Sequence, residues 1–266
     1  MKKKVLYGAT FLVAIMMMFT SCLGDGDNQI SLNNQPGVIR FDMKTSKNVM
    51  DTGYGPIYNP IFDNSSNFQE GGCYLVSFTL NQDRVENSNG QAAANGYYTV
   101  DLLASPTLIE KGMTFSSIRD TTEVYPDEQA LTSAIVSSGE GQYMFFYVNG
   151  YAFIQSYFTG LNKQETAWEL SYNGSVSSSM VEVDGKHVYD LYLRATITKE
   201  GSTPSEDFAP INAYYIKGYV DQINQAEQNN SAGAFYFRIN YIKSIKDGVA
   251  TWGQSGLMGF GVTKEE

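Results

Sequence analysis

Residues 143–158 read YMFFYVNGYAFIQSYF, and this stretch decides the fold class. Two runs rich in aromatic residues flank Asn149 and Gly150, which both tolerate the positive φ that a two-residue turn requires. The stretch therefore predicts a β-hairpin. The same alternation of apolar and polar residues returns in residues 74–80, 97–103, 166–172, 186–198, 213–221 and 234–242. Alternation with a period of two is typical of half-buried strands, so we expect an all-β protein.

The composition favours a folded, acidic chain. Of the 266 residues, 14% are aromatic and only 17% are charged. Flat aromatic side chains suit the surface of a packed sheet, whereas a disordered chain has fewer aromatic residues and more charge. There are 28 acidic residues against 18 basic ones. Binding to nucleic acid needs a basic stripe that neutralises phosphates, so no nucleic-acid partner is expected.

The N-terminus has the parts of an export signal. Lys2 to Lys4 are positive, residues 6–19 are apolar, and Thr20 and Ser21 are small. This order predicts a signal peptide over residues 1–21. Cys22 follows the small pair and is the predicted lipid attachment site, so the membrane is expected as a partner through this anchor. The alternative is a transmembrane anchor, but a bilayer span needs about 20 apolar residues and this stretch is shorter.

The rest of the chain divides into four parts by composition. Residues 22–36 are polar and acidic, which predicts a flexible tether. Residues 37–112 predict a small antiparallel meander or barrel, in which the strand at 74–80 pairs with 97–103. Residues 113–141 predict a linker, in which Asp127–Val136 favours one short helix. Residues 142–256 predict a β-sandwich, and residues 257–266 a terminal tail.

Side chains that commonly catalyse reactions or bind metals are scarce. The single histidine, His187, follows the Asp184-Gly185 turn and is predicted to be a surface residue. A zinc site needs three or four ligands, and His187 with Cys73 falls short, so no metal is expected. Cys73 has apolar neighbours and is predicted to be buried. Glycine-rich phosphate-binding motifs are missing, and no cofactor is expected.

Two features keep other functions open. Asp and Glu are abundant, and a glycosidase needs only two of them at the right separation, although most lie at predicted turns or outward strand positions. Trp168, Trp252 and Tyr214 are candidates for stacking on a ligand such as a sugar ring. The alternative, that these residues cover sheet edges, is favoured because isolated surface aromatic residues are common. No catalytic residue is assigned.

The sequence also resembles the NigD-like lipoproteins of the Bacteroidota. The resemblance rests on Cys22 with its acidic Gly/Asp tether, the opening strand Gly37–Arg40, the strands at 72–80 and 97–103, the hairpin at 147–157, and YFRINY at 236–241. It implies a small N-terminal OB-like barrel followed by a C-terminal β-sandwich. It also implies export to the outer face of the outer membrane and a link to bacteriocin immunity, with no catalytic residues to carry over.

The first functional hypothesis is a non-enzymatic lipoprotein on the cell surface that binds a macromolecule or acts as an accessory of the cell envelope. The alternatives are a glycan-binding accessory, marked by exposed aromatic residues in a cleft, and a pilus or adhesin component, marked by an open strand groove. A hydrolase would require carboxylates that converge in one pocket.

Overall fold

The computed structural model describes residues 28–263, except 136, 139–141 and 144–145. The chain divides into two compact units, with the boundary between Ile109 and Glu110. The predicted signal peptide and Cys22 lie outside the described residues. Among the residues described, no helix is long and apolar enough to span a bilayer.

The first unit is one open sheet with order β5-β3-β2-β1-β4-β6, and β7 pairs with β4. A 3-10 turn covers Pro60–Asp63 and helix α1 covers Gln91–Asn95. The strands are β1 (Gln29–Asp42), β2 (Lys47–Thr52), β3 (Gly55–Tyr58), β4 (Cys73–Asn81), β5 (Tyr98–Thr99), β6 (Asp101–Leu102) and β7 (Thr107–Leu108).

The core of this unit follows the alternation seen in the sequence. On β4, Tyr74, Val76, Phe78 and Leu80 are all buried in one apolar cluster, as the period of two predicts. Cys73 is also fully buried, which agrees with its prediction. The strands of this unit form an open sheet rather than a closed barrel in the part that the structure describes.

Two predictions for the first unit are wrong in detail. Residues 29–36 are not tether but the first half of β1, where Ile30 pairs with Leu80 and Leu32 with Phe78. Backbone hydrogen bonds of a strand do not require apolar side chains, so a polar composition concealed this strand. The predicted partner of β4 is split: β6 pairs with β4, whereas β5 pairs in parallel with β3.

In the part that the structure describes, the second unit has two large sheets, one two-stranded sheet and two helices. Its helices are α2 (Val176–Ser179) and α3 (Lys217–Asn229). Its strands are β8 (Glu110–Lys111), β9 (Met113–Phe115), β10 (Ser133–Ile135), β11 (Ser137–Ser138), β12 (Gln142–Tyr143), β13 (Phe146–Val148), β14 (Tyr151–Asn162), β15 (Glu165–Tyr172), β16 (Met180–Val183), β17 (Lys186–Lys199), β18 (Ser202–Phe208), β19 (Ile211–Tyr215), β20 (Ala234–Lys246), β21 (Val249–Gln254) and β22 (Met258–Gly261).

These strands form the predicted β-sandwich. The first sheet has the order β10-β14-β19-β8, with β13 and β18 also paired to β14. The second has the order β21-β20-β17-β15-β9, with β16 also paired to β17 and β22 to β20, and β11 pairs separately with β12. Inward residues of both sheets, such as Ile154 and Leu191, share one apolar cluster with Ile223 of α3. The helix therefore belongs to the core of the sandwich.

The hairpin turns named from sequence are confirmed. Asn149 and Gly150 have φ values of 45° and 87° and join β13 to β14. Asp184 and Gly185 have φ values of 53° and 71° and join β16 to β17. Positive φ at both central residues matches the right-handed twist of the flanking strands.

The predicted linker and its helix are corrected by the structure. Residues 113–115 form β9, and residues 133–135 form β10 instead of the end of a helix. Between them, the amide of Gln129 donates to the carbonyl of Ala195, and that of Leu131 to the carbonyl of Ile242. Hydrogen bonds to distant strands outweigh local helix propensity here, as tertiary contacts commonly do. Residue 136, at the end of the predicted helix, is outside the described residues.

Two further corrections concern the C-terminal part. The strand predicted over 213–221 ends at Tyr215, and helix α3 follows it. Tyr219, Val220, Ile223 and Glu227 are its buried residues, and their spacing is that of one helix face. The predicted tail contains β22, where Phe260 pairs with Phe235 of β20. The Gly-rich sequence gives no local strand signal, and the strand forms because it pairs with the long strand β20.

Candidate functional site

An aromatic groove of about 500 Å³ opens at one end of the sandwich in the second unit. It lies between the two sheets, because β14 and β18 line one side and β15 and β17 the other. Its lining residues are Glu110, Phe158, Gln164, Glu165, Thr166, Ala167, Trp168, Thr198, Phe208 and Pro210. Ligand pockets of proteins typically measure about 300–1,000 Å³, so this groove has the size of a binding site.

The inner wall of the groove is aromatic. Phe158 stacks on Phe208 with ring centroids 5.0 Å apart and an interplanar angle of 12°. Trp168 meets the same Phe158 ring at 5.8 Å and 55°. Inward alternation on β14 and β15 places these rings at the end of the core, where the sheets part. The wall is therefore apolar.

The outer rim of the groove is polar and acidic. The side-chain amide of Gln164 donates to Oε1 of Gln129 (2.9 Å) and accepts from the backbone amide of Leu161 (3.2 Å), which fixes its position. Lys199 donates to the carboxylate of Glu165. Glu110 makes no ion pair with any residue that the structure describes, so its charge faces the groove uncompensated.

Of the three predicted stacking residues, one lines the groove. Trp168 forms part of its wall and is 6% exposed. Trp252 lies elsewhere: its indole N–H donates to the carbonyl of Thr121 (3.0 Å), and the guanidinium of Arg194 lies 5.2 Å from its ring centroid. Phe158 and Phe208, which complete the wall, were not predicted. Only the pairing of distant strands brings them together.

The choice of Tyr214 as an exposed stacking residue is wrong. Tyr214 is fully buried, whereas its neighbour Tyr215 is 51% exposed and packs against Tyr151. The sequence established that the two rings face opposite sides but not which side is the core. A Cβ at Gly112 would lie 2.1 Å from the Tyr214 ring, so this glycine makes room for it. Burial raises the pKa of Tyr214.

Sequence reasoning missed a buried polar cluster around Glu227. Nδ1 of His187 lies 2.6 Å from Oε2 of Glu227, and the hydroxyl of Tyr189 donates to its other oxygen. Glu227 is fully buried, and His187 is half-buried rather than the surface residue that was predicted. Burial, together with the bond to Glu227, raises the pKa of Tyr189. The helical spacing of Tyr219, Ile223 and Glu227 could have predicted that Glu227 lies on the buried face of a helix.

Other acidic residues on the second sheet are paired with arginines. Glu128 bonds Arg194 (2.7 Å), and Arg119 lies 2.9 Å from Glu169. Asp190 receives two bonds from Arg238, at 2.7 and 2.8 Å, and the side-chain amide of Asn240 also donates to it. Among the described residues, no three His, Cys, Asp or Glu side chains group as metal ligands would.

Comparison with known families locates the relationship in the first unit. A family described as the lipoprotein OB domain matches residues 27–106. Residues 27–106 are therefore similar to a lipoprotein OB domain. This match confirms the resemblance to the NigD-like lipoproteins, for which an N-terminal OB-like domain was expected. A search of curated proteins finds no match.

Solved structures show the fold beyond the OB domain. A protein from Parabacteroides merdae covers 88% of this chain and 100% of its own, at 22% identity and a TM-score of 0.74. A lipoprotein candidate from Bacteroides fragilis covers 90% of this chain and 99% of its own, at 10% identity and a TM-score of 0.53. These likenesses show that the OB domain followed by a sandwich is a fold shared with other proteins.

Proposed function

We propose that this lipoprotein is a non-enzymatic binding protein, lipid-anchored at Cys22 in the outer membrane and displayed on the cell surface, and that its groove binds a neutral glycan. The observation that carries the proposal is the pairing of an aromatic wall, formed by Phe158, Trp168 and Phe208, with a polar rim.

The chemistry of the groove suits a sugar. A sugar ring presents an apolar face of C–H groups, which packs on an aromatic surface, while its hydroxyls both donate and accept hydrogen bonds. Gln164, Thr166 and Thr198 supply partners for those hydroxyls at the rim. The carboxylate of Glu110, which makes no ion pair with a described residue, repels an acidic ligand, because like charges brought together at an interface oppose binding. A neutral saccharide therefore fits better than an acidic one.

Tryptophan emission can report binding directly. The chain has two tryptophans, so the variant Trp252→Phe leaves Trp168 as the single reporter. We expect neutral gluco- or manno-oligosaccharides of two to six units to shift the emission of Trp168 saturably, and oligogalacturonate to leave it unchanged. Emission that responds to none of the neutral probes would contradict the proposal.

Filling the groove should abolish binding without unfolding the protein. Thr198 is exposed at the rim, so Thr198→Arg places a long side chain in the groove without disturbing the core. We expect affinity for the neutral oligosaccharide to fall at least tenfold, measured by titration calorimetry. Thr251→Arg, on an exposed position of β21, is the matched control and should bind like the parent. Equal loss in both variants would point to a general effect of charge.

A hydrolase is the second candidate, because Glu110 and Glu165 line the same groove. A glycosidase acid is commonly buried against apolar groups, whereas Glu110 is exposed and Glu165 is 62% exposed and paired with Lys199. We therefore expect no release of reducing ends when the protein is incubated with the oligosaccharides that it binds. Release that is lost in Glu110→Gln or Glu165→Gln would establish the hydrolase instead.

Protease treatment of intact cells tests surface display. We expect the sandwich to be cleaved while the outer membrane is intact. Cleavage only after that membrane is opened would place the protein in the periplasm, and would favour a role in envelope assembly over capture of an external ligand.

A further inference from the structure

Two buried polar side chains on neighbouring strands of the first sheet have an atom without a hydrogen-bond partner among the described residues. In the described structure the hydroxyl of Ser156 forms no hydrogen bond, and Oδ1 of Asn212 accepts none. Ser156 is 0% exposed and Asn212 is 2% exposed. Buried polar groups in proteins are nearly always paired, and an unpaired one destabilises the folded state. Two such groups side by side therefore call for an explanation.

The strand register makes these residues neighbours. Asn212 of β19 pairs with Ile154 of β14, and the amide of Ser156 donates to the carbonyl of Pro210 (3.0 Å). Ser156 and Asn212 are thus diagonal neighbours on the inward face, and residues so placed lie about 7–8 Å apart. A single small polar group between them can bond both.

The same register connects the pair to the groove. Along β14 the inward-facing residues run from Phe158, on the groove wall, to Ser156. Pro210 lines the groove and lies opposite Ser156, and Glu110 lines it and pairs with Asn212 across β8 and β19. Ser156 and Asn212 are therefore adjacent, along or across the strands, to the lining residues Phe158, Pro210 and Glu110. Access from the groove to the pair requires the Phe158 ring to rotate away from Phe208, because neither Ser156 nor Asn212 is among the lining residues.

We propose that Ser156 and Asn212 form an inner subsite of this groove that binds a hydroxyl group of a saccharide or polyol. The inference rests on the proposed glycan-binding function. The ligand hydroxyl donates to Oδ1 of Asn212, and its oxygen accepts from the hydroxyl of Ser156. The ligand thus bonds two buried polar atoms that no described protein group bonds, so the site favours a hydroxyl-bearing ligand.

Two variants that delete the polar atoms test the subsite. Ser156→Ala and Asn212→Leu should each weaken binding of the neutral oligosaccharide about tenfold in calorimetry, while the midpoint of denaturant unfolding without ligand stays equal or rises. Ser171→Ala is the matched control, since Ser171 is equally buried but faces the opposite side of the second sheet. It should leave affinity unchanged.

The outcomes separate the subsite from the groove. Unchanged affinity in both variants, with Thr198→Arg still blocking the ligand, overturns the subsite and leaves the groove in place. A lower unfolding midpoint in both variants without ligand also overturns it, because the two atoms would then have partners in the empty protein. A parent protein that binds no oligosaccharide overturns both proposals.

Discussion

At the scale of single residues, the second unit accommodates a fully buried carboxylate. Glu227 lies on the core side of α3, where an isolated charge would be costly to desolvate. His187 and Tyr189, from the neighbouring strand β17, each bond one of its oxygens. These bonds tie the helix to the sheet and replace the hydration that burial removes.

Removing His187 should therefore cost stability and not binding. His187→Ala leaves the buried Glu227 side chain with one hydrogen-bond partner fewer, and an unsatisfied buried polar group typically costs about 1–3 kcal/mol. We expect that loss in denaturant unfolding, with oligosaccharide affinity retained. Glu182→Ala is the control, because Glu182 pairs with His187 in the β16–β17 register but is exposed. An unchanged unfolding free energy for His187→Ala would show that Glu227 does not need this contact.

Buried tyrosines should make the fold sensitive to alkali. Burial raises the pKa of Tyr147, Tyr189 and Tyr214 above the ordinary value near 10. Above that pH the unfolded chain loses phenol protons that the folded chain keeps, so the free energy of unfolding falls as pH rises and is unaffected below it. Rapid mixing into alkali should show a slow phase of phenolate absorbance that coincides with unfolding. Complete ionisation before unfolding would contradict this.

At the scale of elements, the short strand β22 should matter more than its length suggests. It pairs with β20, and Phe260 stacks on Phe235 with centroids 5.4 Å apart. Deleting residues 257–266 removes this partly buried ring, which packs against the core cluster, together with the strand that pairs with β20. We expect the unfolding midpoint to fall clearly. Gly261→Ala, where an added Cβ meets open space, is the control. An unchanged midpoint on deletion would mean that β22 is dispensable.

At the scale of the whole molecule, the proposed anchor would decide where the groove can act. Lipid chains on Cys22 would hold the protein at a membrane, since each buried methylene adds about 0.8 kcal/mol. Cys22→Ser should move the protein from the membrane fraction to the soluble fraction in a sedimentation assay. Cys73→Ala changes the other cysteine and should stay with the membrane. Retention of the Cys22→Ser variant would disprove lipid anchoring at this residue.

The sequence by itself determined the elements whose signal is local. Alternation along β4, β17 and β20 identified strands and their buried faces, because the side-chain period of a strand is fixed by backbone geometry. The Asn149-Gly150 and Asp184-Gly185 turns were equally clear, because positive φ favours those residues. The OB domain and the sandwich followed from these local signals and from the family resemblance.

Only the tertiary structure decided what depends on distant partners. Residues 29–36, 133–135 and 258–261 are strands because other strands offer them hydrogen bonds, which no local pattern records. The groove joins Phe158, Trp168 and Phe208 from three strands, and Ser156 and Asn212 became a candidate subsite only through the register of β14 with β19. Which tyrosine of the pair 214–215 is buried depended on the side from which the second sheet covers the first.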